Sequence, residues 1–596
     1  MQLFPSALCS DQSRANMALP FLCLICFSVL YYFLFFTVPS KPHNVQRVAF
    51  HFQPIKNWMN DPNGPMLYKG YYHFFYQWNP YAAVWGNITW GHAVSKDLIR
   101  WHHLEVALIP NQWYDLYGCW SGSATLVEEG KPIITYTGWS NASHSEDHKV
   151  QMQALAMPAD YGDPLLRKWV KAPGNPIITA PQGIDSNFFR DPTTAWKGAD
   201  GKWRMLVGSK ENMTGMALLY RSPDFLNWRK AITPLHSVNG TGMWECPDFY
   251  PVSISDTYGL NTSAYGQGVM HVLKVSFVHD YYTVGTYITS NDTFLPVQSN
   301  LDVGIGLRYD YGKYYASKSF FDANKNRRIL FGWVNESDGE AADISKGWAS
   351  VQAFPRKVWL DKETNCSLLH WPIEELESLH RSKVTLDSVS LWKGSVTVVE
   401  GIKGAQLDVE ATFDLPEIND AEIMDVSAEN AQLMCSEKGA SRNGVIGPFG
   451  FLVLATDDEM EHTAIFFVVV NSKDGWKVLV CSDQSRSSLA TNLDKTTYGS
   501  FSNLSGSQTS VSVRILVIQE ANQAKNMANY YFDKLNGTPP PSPNRARTIY
   551  YPDQSEGTSP PPTHAITSHV SSDRNYDEFY YQEHIICWCN SCYGTY

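Results

Sequence analysis

At 596 residues the chain exceeds what one ordinary hydrophobic core accommodates, so two domains are the starting expectation. A formal net charge of −12, with no block of Lys or Arg, lacks the basic footprint that nucleic-acid binding requires and favours solubility. The 20 Trp and 32 Tyr offer flat apolar faces with a polar edge, which suits sugar stacking and also fills β-rich cores.

Residues 1–39 read as a leader. The run 18–38 (ALPFLCLICFSVLYYFLFFTV) is almost wholly apolar, follows Arg14 and is long enough to span a bilayer. A cleaved signal peptide is favoured over an uncleaved anchor, and a start at Met17 gives a more ordinary leader. Ten Asn-x-Ser/Thr sequons, at Asn87, Asn141, Asn212, Asn239, Asn261, Asn291, Asn335, Asn365, Asn503 and Asn536, fit a secreted glycoprotein.

From 47 to 366 short apolar and aromatic runs are broken by Gly, Pro, Asn and Asp, with little helical periodicity, so the region reads as all-β. One kind of run recurs at 72–78 (YHFFYQW), 133–139 (IITYTGW), 203–209 (WRMLVGS), 271–277 (HVLKVSF) and 328–334 (RILFGWV). A second echo pairs Ser95, Asp97 and Trp101 with Ser222, Asp224 and Trp228. Five units of this size predict a five-bladed β-propeller, whose radial repetition leaves only short protected edges.

Residues 367–384 carry a short helical pattern and read as a linker. Alternating strands resume at 385–520, as in 464–471 (AIFFVVVN) and 476–481 (WKVLVC), predicting a β-sandwich. Cys435 and Cys481 flank this stretch and are the best disulfide candidates in an oxidising compartment. In the tail, 521–596, residues 538–563 are rich in Pro and Ser and predict no packed strands, and the Tyr- and Cys-rich end shows no clear periodicity. Its Cys587, Cys589 and Cys592 have no partner pair elsewhere and read as non-metal. The hexapeptide CSDQSR occurs at both 9–14 and 481–486, without a physical explanation.

Three acidic residues sit in turn-like settings. Asp61 lies in Trp58-Met-Asn-Asp-Pro-Asn-Gly64, where turn residues fix the backbone and leave the carboxylate exposed. Asp191 follows Phe189-Arg190 and precedes Pro192; the adjacent Arg predicts an ionised carboxylate. Glu245, between Trp244 and Cys246-Pro247, is expected to lose hydration and gain the raised pKa of a general acid. Each motif alone is ordinary turn chemistry. Together they can supply the two carboxyl groups that glycoside hydrolysis needs, one attacking the anomeric carbon and one protonating the leaving oxygen.

These segments, with Trp120-Ser121-Gly122-Ser123, resemble glycoside hydrolase family 32, specifically plant cell-wall invertases and fructan exohydrolases, from about Phe50 to Phe501. The resemblance implies a propeller followed by a sandwich, a retaining mechanism without metal or cofactor, and sucrose or short fructans as substrate. It implies Asp61 as nucleophile, Glu245 as acid/base and Asp191 as transition-state stabiliser. Trp58, Asn60, Gln77, Trp85, Trp120, Ser121 and Arg190 would line the fructose subsite, and Cys435–Cys481 would be a disulfide. Pro247 matches the cell-wall branch and implies an acidic working pH in the apoplast, where the wall matrix is a further possible contact.

Two departures stand out. Ile288 and Asn291 occupy places where an Asp and a Lys are expected to hold glucose, which leaves Asp280 as the compensating candidate and fructan exohydrolysis as the alternative activity. No family-like sandwich segment follows Phe501, which predicts an incomplete sandwich with exposed edges. That departure also motivates a reading from another class, a catalytically weak sugar-binding protein.

Overall fold

The five recurring runs become the second strands of five antiparallel sheets: Tyr71–Trp78, Pro132–Asn141, Trp203–Glu211, Val269–Phe277 and Arg327–Val334. Each pairs on its inner side with a first strand: Asn57–Tyr68 in blade I, Gly118–Leu126 in II, Phe189–Arg190 in III, Glu245–Ser253 in IV and Tyr314–Asp322 in V. The computed structural model describes Val48 and residues 50–141, 149–304, 306–337, 339–386, 389–401, 406–426, 430–439, 444–504 and 510–518. It also describes the backbone of three later strands, Ala528–Phe532, Thr548–Pro552 and His584–Cys589. The leader, the first CSDQSR copy, Asn536 and Cys592 lie outside the described residues. Among the described residues no helix is long and apolar enough to cross a membrane.

Successive side chains of a blade strand enter different cores, the period-2 alternation of a sheet buried on both faces. Ile134 packs with Phe75 and Trp90 of blade I, while Ile133 packs with Met205 and Val207 of blade III. Leu206, between those two, joins Phe249 and Leu273 of blade IV. Tyr250 and Val272 pack on Tyr314 and Leu330 of blade V, whose Ile329 and Phe331 return to Phe74 and Tyr76 of blade I. The ring closes where Trp348–Ala349 lies parallel to Asn57 and Trp58. The Ser-Asp-Trp echo forms equivalent corners: Trp101 Nε1 donates to Leu98 O at 3.0 Å, and Trp228 Nε1 to Phe225 O at 2.9 Å.

The stretch expected as a linker is built into both domains. Leu368–Pro372 is the outermost strand of blade V, and His380–Thr385 begins a sandwich sheet. Between these two strands the expected helical pattern appears as a 3-10 turn, Glu374–Leu379, whose Leu376 and Leu379 sit in the core between blades V and I.

Within 385–520 the sandwich continues past Phe501, and further strands come from the tail, one of them inside the Pro-rich run expected to hold none. Ser510–Ile518 pairs along its whole length with Gln406–Asp414, burying Val511, Val513 and Ile515 against the facing sheet. Ala528–Phe532 extends that sheet, Thr548–Pro552 bridges His380–Thr385 and Gln406–Asp414, and His584–Cys589 joins Ser395–Val398 to Ile446–Ala455. These runs (ANYYF, TIYYP, HIICWC) are β-branched and aromatic, the composition that fits a pleated sheet position despite the Pro-rich sequence around them. A disulfide joins Cys435, on the helix Ala431–Lys438, to Cys481 in the strand beneath it.

Candidate active site

The first strands of the blades begin at one end of the propeller, and there their pairing is irregular. Register shifts fall between Met59 and Pro62, Trp120 and Gly122, Glu245 and Asp248, and Tyr315 and Lys318. Such bulges re-aim side chains at the rim of a sheet. Asp191, Cys246 and Ala316 also have left-handed backbone, with φ of 64°, 44° and 53°. Non-Gly residues hold that conformation only when the surroundings over-determine it. Here each amide is clamped by a side chain: Asp191 N–H by Thr137 Oγ1 at 2.8 Å, Cys246 N–H by Asp191 Oδ2 at 2.8 Å, and Ala316 N–H by Asp280 Oδ1 at 3.0 Å. Gly208 permits the close approach of blade IV, since a Cβ there would stand 2.1 Å from Trp244 O.

Three carboxylates converge at this end. Asp61 accepts hydrogen bonds from Ser121 Oγ at 2.6 Å, Asn60 Nδ2 at 3.0 Å and Cys246 Sγ at 3.3 Å. Asn60 is itself held by Trp58 Nε1 at 2.9 Å, and its carbonyl by Gln352 Nε2 at 2.7 Å. Asp191 is buried and shares the Cys246 thiol, 3.6 Å from its Oδ2. Glu245 is held from two sides, by Arg190 Nη2 at 2.5 Å and by the Tyr315 hydroxyl at 2.7 Å.

Burial raises the pKa of Asp61; the Ser121 and Asn60 hydrogen bonds oppose the shift, and the charge of Glu245 adds to it. Burial likewise pushes Asp191 up to about 6, against the nearby Arg190 and with help from the Glu245 and Asp61 charges. The expectation that Arg190 keeps Asp191 ionised is therefore corrected. Its Nε stands 3.9 Å from Asp191, and its shorter contact is to Glu245. The dry setting expected for Glu245 belongs to the two aspartates instead, because the Glu245 side chain remains 32% exposed between its two donors.

Of the expected subsite residues, Trp58, Asn60, Ser121 and Arg190 surround these carboxylates. Gln77 is buried beside them, its Nε2 donating to Cys119 O at 3.2 Å, and Trp85 meets Trp120 edge-on at 6.0 Å. Asp280 is not available to a ligand. It is buried and accepts from Ser276 Oγ, Ala316 N–H and Ser317 N–H, with Lys274 Nζ at 3.3 Å. Lys274 and Lys318, both buried, donate to the carbonyls of Cys246 and Pro247 at 3.1 and 3.0 Å. Two cations thus stand behind the peptide that carries Glu245.

Ile288 and Asn291 are also away from the site. Glu245 pairs with Ser276, and Ser276 with Asp280, at the site end of blade IV, whereas Ile288 closes the same strand beside Thr293. At about 3.3 Å per residue the strand carries Ile288 roughly 25 Å from that end. Sequence reasoning missed Tyr315, Cys246, Thr137 and Gln352. Tyr315 had a usable signal, since it stands second in the strand preceding the fifth recurring run, close to the place Glu245 takes in the one preceding the fourth.

Models of the glycosyl hydrolases family 32 N-terminal domain and C-terminal domain match residues 51–372 and 375–525. The chain belongs to glycoside hydrolase family 32. Its relatives include a β-fructofuranosidase, insoluble isoenzyme 1, of Daucus carota, 51% identical over 77% of this chain and 78% of that one. An acid β-fructofuranosidase 2, vacuolar, of a Rosa hybrid cultivar is 50% identical over 79% of this chain and 73% of its own. The structure of fructan 1-exohydrolase IIa from Cichorium intybus is similar at a TM-score of 0.78 and 43% identity, covering 92% of this chain and 95% of that one. The protein is thus a family 32 glycosidase, with the propeller that the five-fold repeat predicted and the sandwich that the alternating strands after residue 384 predicted.

Proposed function

We propose that the protein is a secreted β-fructofuranosidase that cleaves terminal non-reducing β-D-fructofuranosides by retaining double displacement, with sucrose as principal substrate. The observation that carries this reading is the shared cage of Asp61, Asp191 and Glu245, each from a different blade and each held by its own donors. Asp61 attacks the anomeric carbon, and Glu245 gives its proton to the departing glycosidic oxygen. Glu245 then takes a proton from water, which displaces Asp61 and releases fructose. Asp191 and Arg190 grip the fructose hydroxyls. The three hydrogen bonds to Asp61 favour its ionised, attacking form against its burial.

Fructan exohydrolysis remains the second reading. It no longer rests on Ile288 and Asn291, but on the likeness to the Cichorium enzyme and on the open aromatic rim at Trp85, which is 52% exposed. Secretion to the cell wall is proposed from the apolar leader, Pro247 and the sequons. Asn87, Asn212, Asn239, Asn261, Asn291, Asn335 and Asn365 are exposed and Asn141 half-buried, so their surfaces are open to glycans. The experiment is to secrete the full chain from a eukaryotic host and follow glucose and fructose release at mildly acidic pH, with sucrose and a short inulin in parallel. Equimolar glucose and fructose from sucrose supports the first reading, fructose from inulin alone supports the second, and silence on both rejects the enzyme assignment.

A further inference from the structure

A row of aromatic rings leaves the pocket along blade II. Trp120, on the first strand beside Ser121, meets Trp139 of the second strand at 4.7 Å between ring centroids, tilted by 30°. Trp139 meets Tyr117 at 5.5 Å, and Trp85 from blade I flanks the row at 6.0 Å from Trp120 and 6.5 Å from Trp139. The row stays open to solvent: Tyr117 is 42% exposed, and Trp139 and Trp120 are half-buried. Lys149, an exposed cation, stands over the Trp139 ring at 5.1 Å.

The support beneath the row is rigid. The turn that carries Tyr117 wraps around the buried Asp115, whose Oδ1 accepts the Asn111 and Gln112 amides at 3.1 and 2.9 Å. The other oxygen accepts the Tyr136 hydroxyl at 2.7 Å and Lys171 Nζ at 2.5 Å. Tyr117 N–H then donates to Trp139 O at 3.0 Å. Gly138 lets the turn lie close, since a Cβ there would meet Tyr114 O at 2.4 Å. A buried anchor that accepts from these four donors under exposed rings is a costly way to build an unused surface, whereas a platform fixed in advance binds without an ordering cost.

We infer that Trp139 and Tyr117 form an outer sugar subsite, taking a hexose unit of a short fructooligosaccharide beyond the unit that leaves from Glu245. The inference rests on the proposed β-fructofuranosidase activity and adds the length of chain that the site prefers. The occupant is carbohydrate because the row is continuous with the pocket through Trp120 and Trp85. It presents flat apolar faces to the C–H face of a sugar, with the Lys149 ammonium at its edge to reach hydroxyls.

The test separates binding from turnover. In an Asp61→Ala background, sucrose, a kestose-type trisaccharide and a linear fructan tetrasaccharide are titrated calorimetrically, with and without Trp139→Ala or, separately, Tyr117→Ser. Each substitution is expected to weaken the tri- or tetrasaccharide about tenfold more than sucrose, the size of one aromatic contact. Equal weakening of all three sugars, or of none, overturns the subsite. Trp139→Phe should restore most of the loss; failure of the Phe variant to do so in a folded protein also counts against stacking. Turnover of sucrose by the unmutated chain is measured alongside, and its absence would reject the hydrolase reading while leaving the binding result to stand or fall by itself.

Discussion

The two ends of blade IV are built from the same strands in different ways. Away from the site, Asp248 through Ser253 pair with Lys274 through Val269 in unbroken register, and Phe249, Val252, Val272 and Leu273 fill the cores between blades. At the site end the register slips after Glu245, Cys246 turns left-handed, and the buried Cys246 bonds to Asp61 and Asp191 while Glu245 stays partly exposed between Arg190 and Tyr315. Blades II and V repeat the contrast, slipping at Ser121 and after Tyr315 and pairing regularly beyond, whereas blade I slips at Asp61 and a second time between Asn63 and Met66. Regular pairing supplies the stability, and the slipped, clamped ends hold the groups that could do chemistry. Such an arrangement costs folding energy at one end that the other offsets.

Five variants, the last a double substitution, probe this contrast in decreasing order of expected effect. Asp61→Ala should lower kcat by about 10⁴-fold or more, as loss of a nucleophile does; activity near that of the unmutated chain would remove Asp61 from that role. Glu245→Gln should cost about 10²- to 10⁴-fold, more for substrates with poor leaving groups, and a loss independent of the leaving group would count against proton donation.

Asp280→Asn tests whether the clamps matter. Asn keeps one acceptor oxygen and sets an NH2 in place of the other, so the Ala316 and Ser317 amides and Lys274 can no longer all be satisfied, and the neighbouring Tyr315 loosens against Glu245. We expect kcat to fall about tenfold, the pH–rate profile to shift, and KM to change little. An unchanged pH profile with lower melting temperature would make Asp280 merely structural.

Asp191→Asn concerns stability. The folded-state pKa of about 6 lies above the ordinary aspartate value of 3.8, so ionising Asp191 is penalised in the fold. The fold therefore loses stability as pH rises from about 4 through about 6 and regains none above, a penalty on the order of 2–3 kcal/mol. The inactive Asn variant should match the unmutated chain in melting temperature near pH 4 and exceed it near pH 7. A constant difference across that range would contradict the assigned cause.

The smallest effect is expected at the regular end. Ile288→Asp with Asn291→Lys should leave the ratio of sucrose to fructan hydrolysis unchanged, because both positions lie at the far end of their strand. A shift toward sucrose would restore a role that the register denies them.

Local signals in the sequence were good guides to the propeller. Recurring apolar and aromatic runs marked the second strands, and the Ser-Asp-Trp corner is a local motif whose hydrogen bonds stay within a few residues. The carboxylates could be named because turn residues surround them. What could not be read depends on distant partners. Asp280 is consumed by amides of residues 316 and 317, Asp191 by an amide of residue 246, and the hydration of Glu245 is set by Tyr315 in another blade. The strands beyond Phe501 were hidden for a related reason: runs of five or six β-prone residues inside Pro-rich sequence show their role only when an open sheet edge takes them up.

The central claim, retaining hydrolysis of fructofuranosides by a nucleophile and an acid/base on facing blades, is tested most directly by the anomer of fructose first released from sucrose. Early-time NMR of the reaction should show β-fructofuranose appearing with equimolar glucose before mutarotation. α-Fructofuranose as the first product, or no hydrolysis by the folded full-length protein, would contradict it.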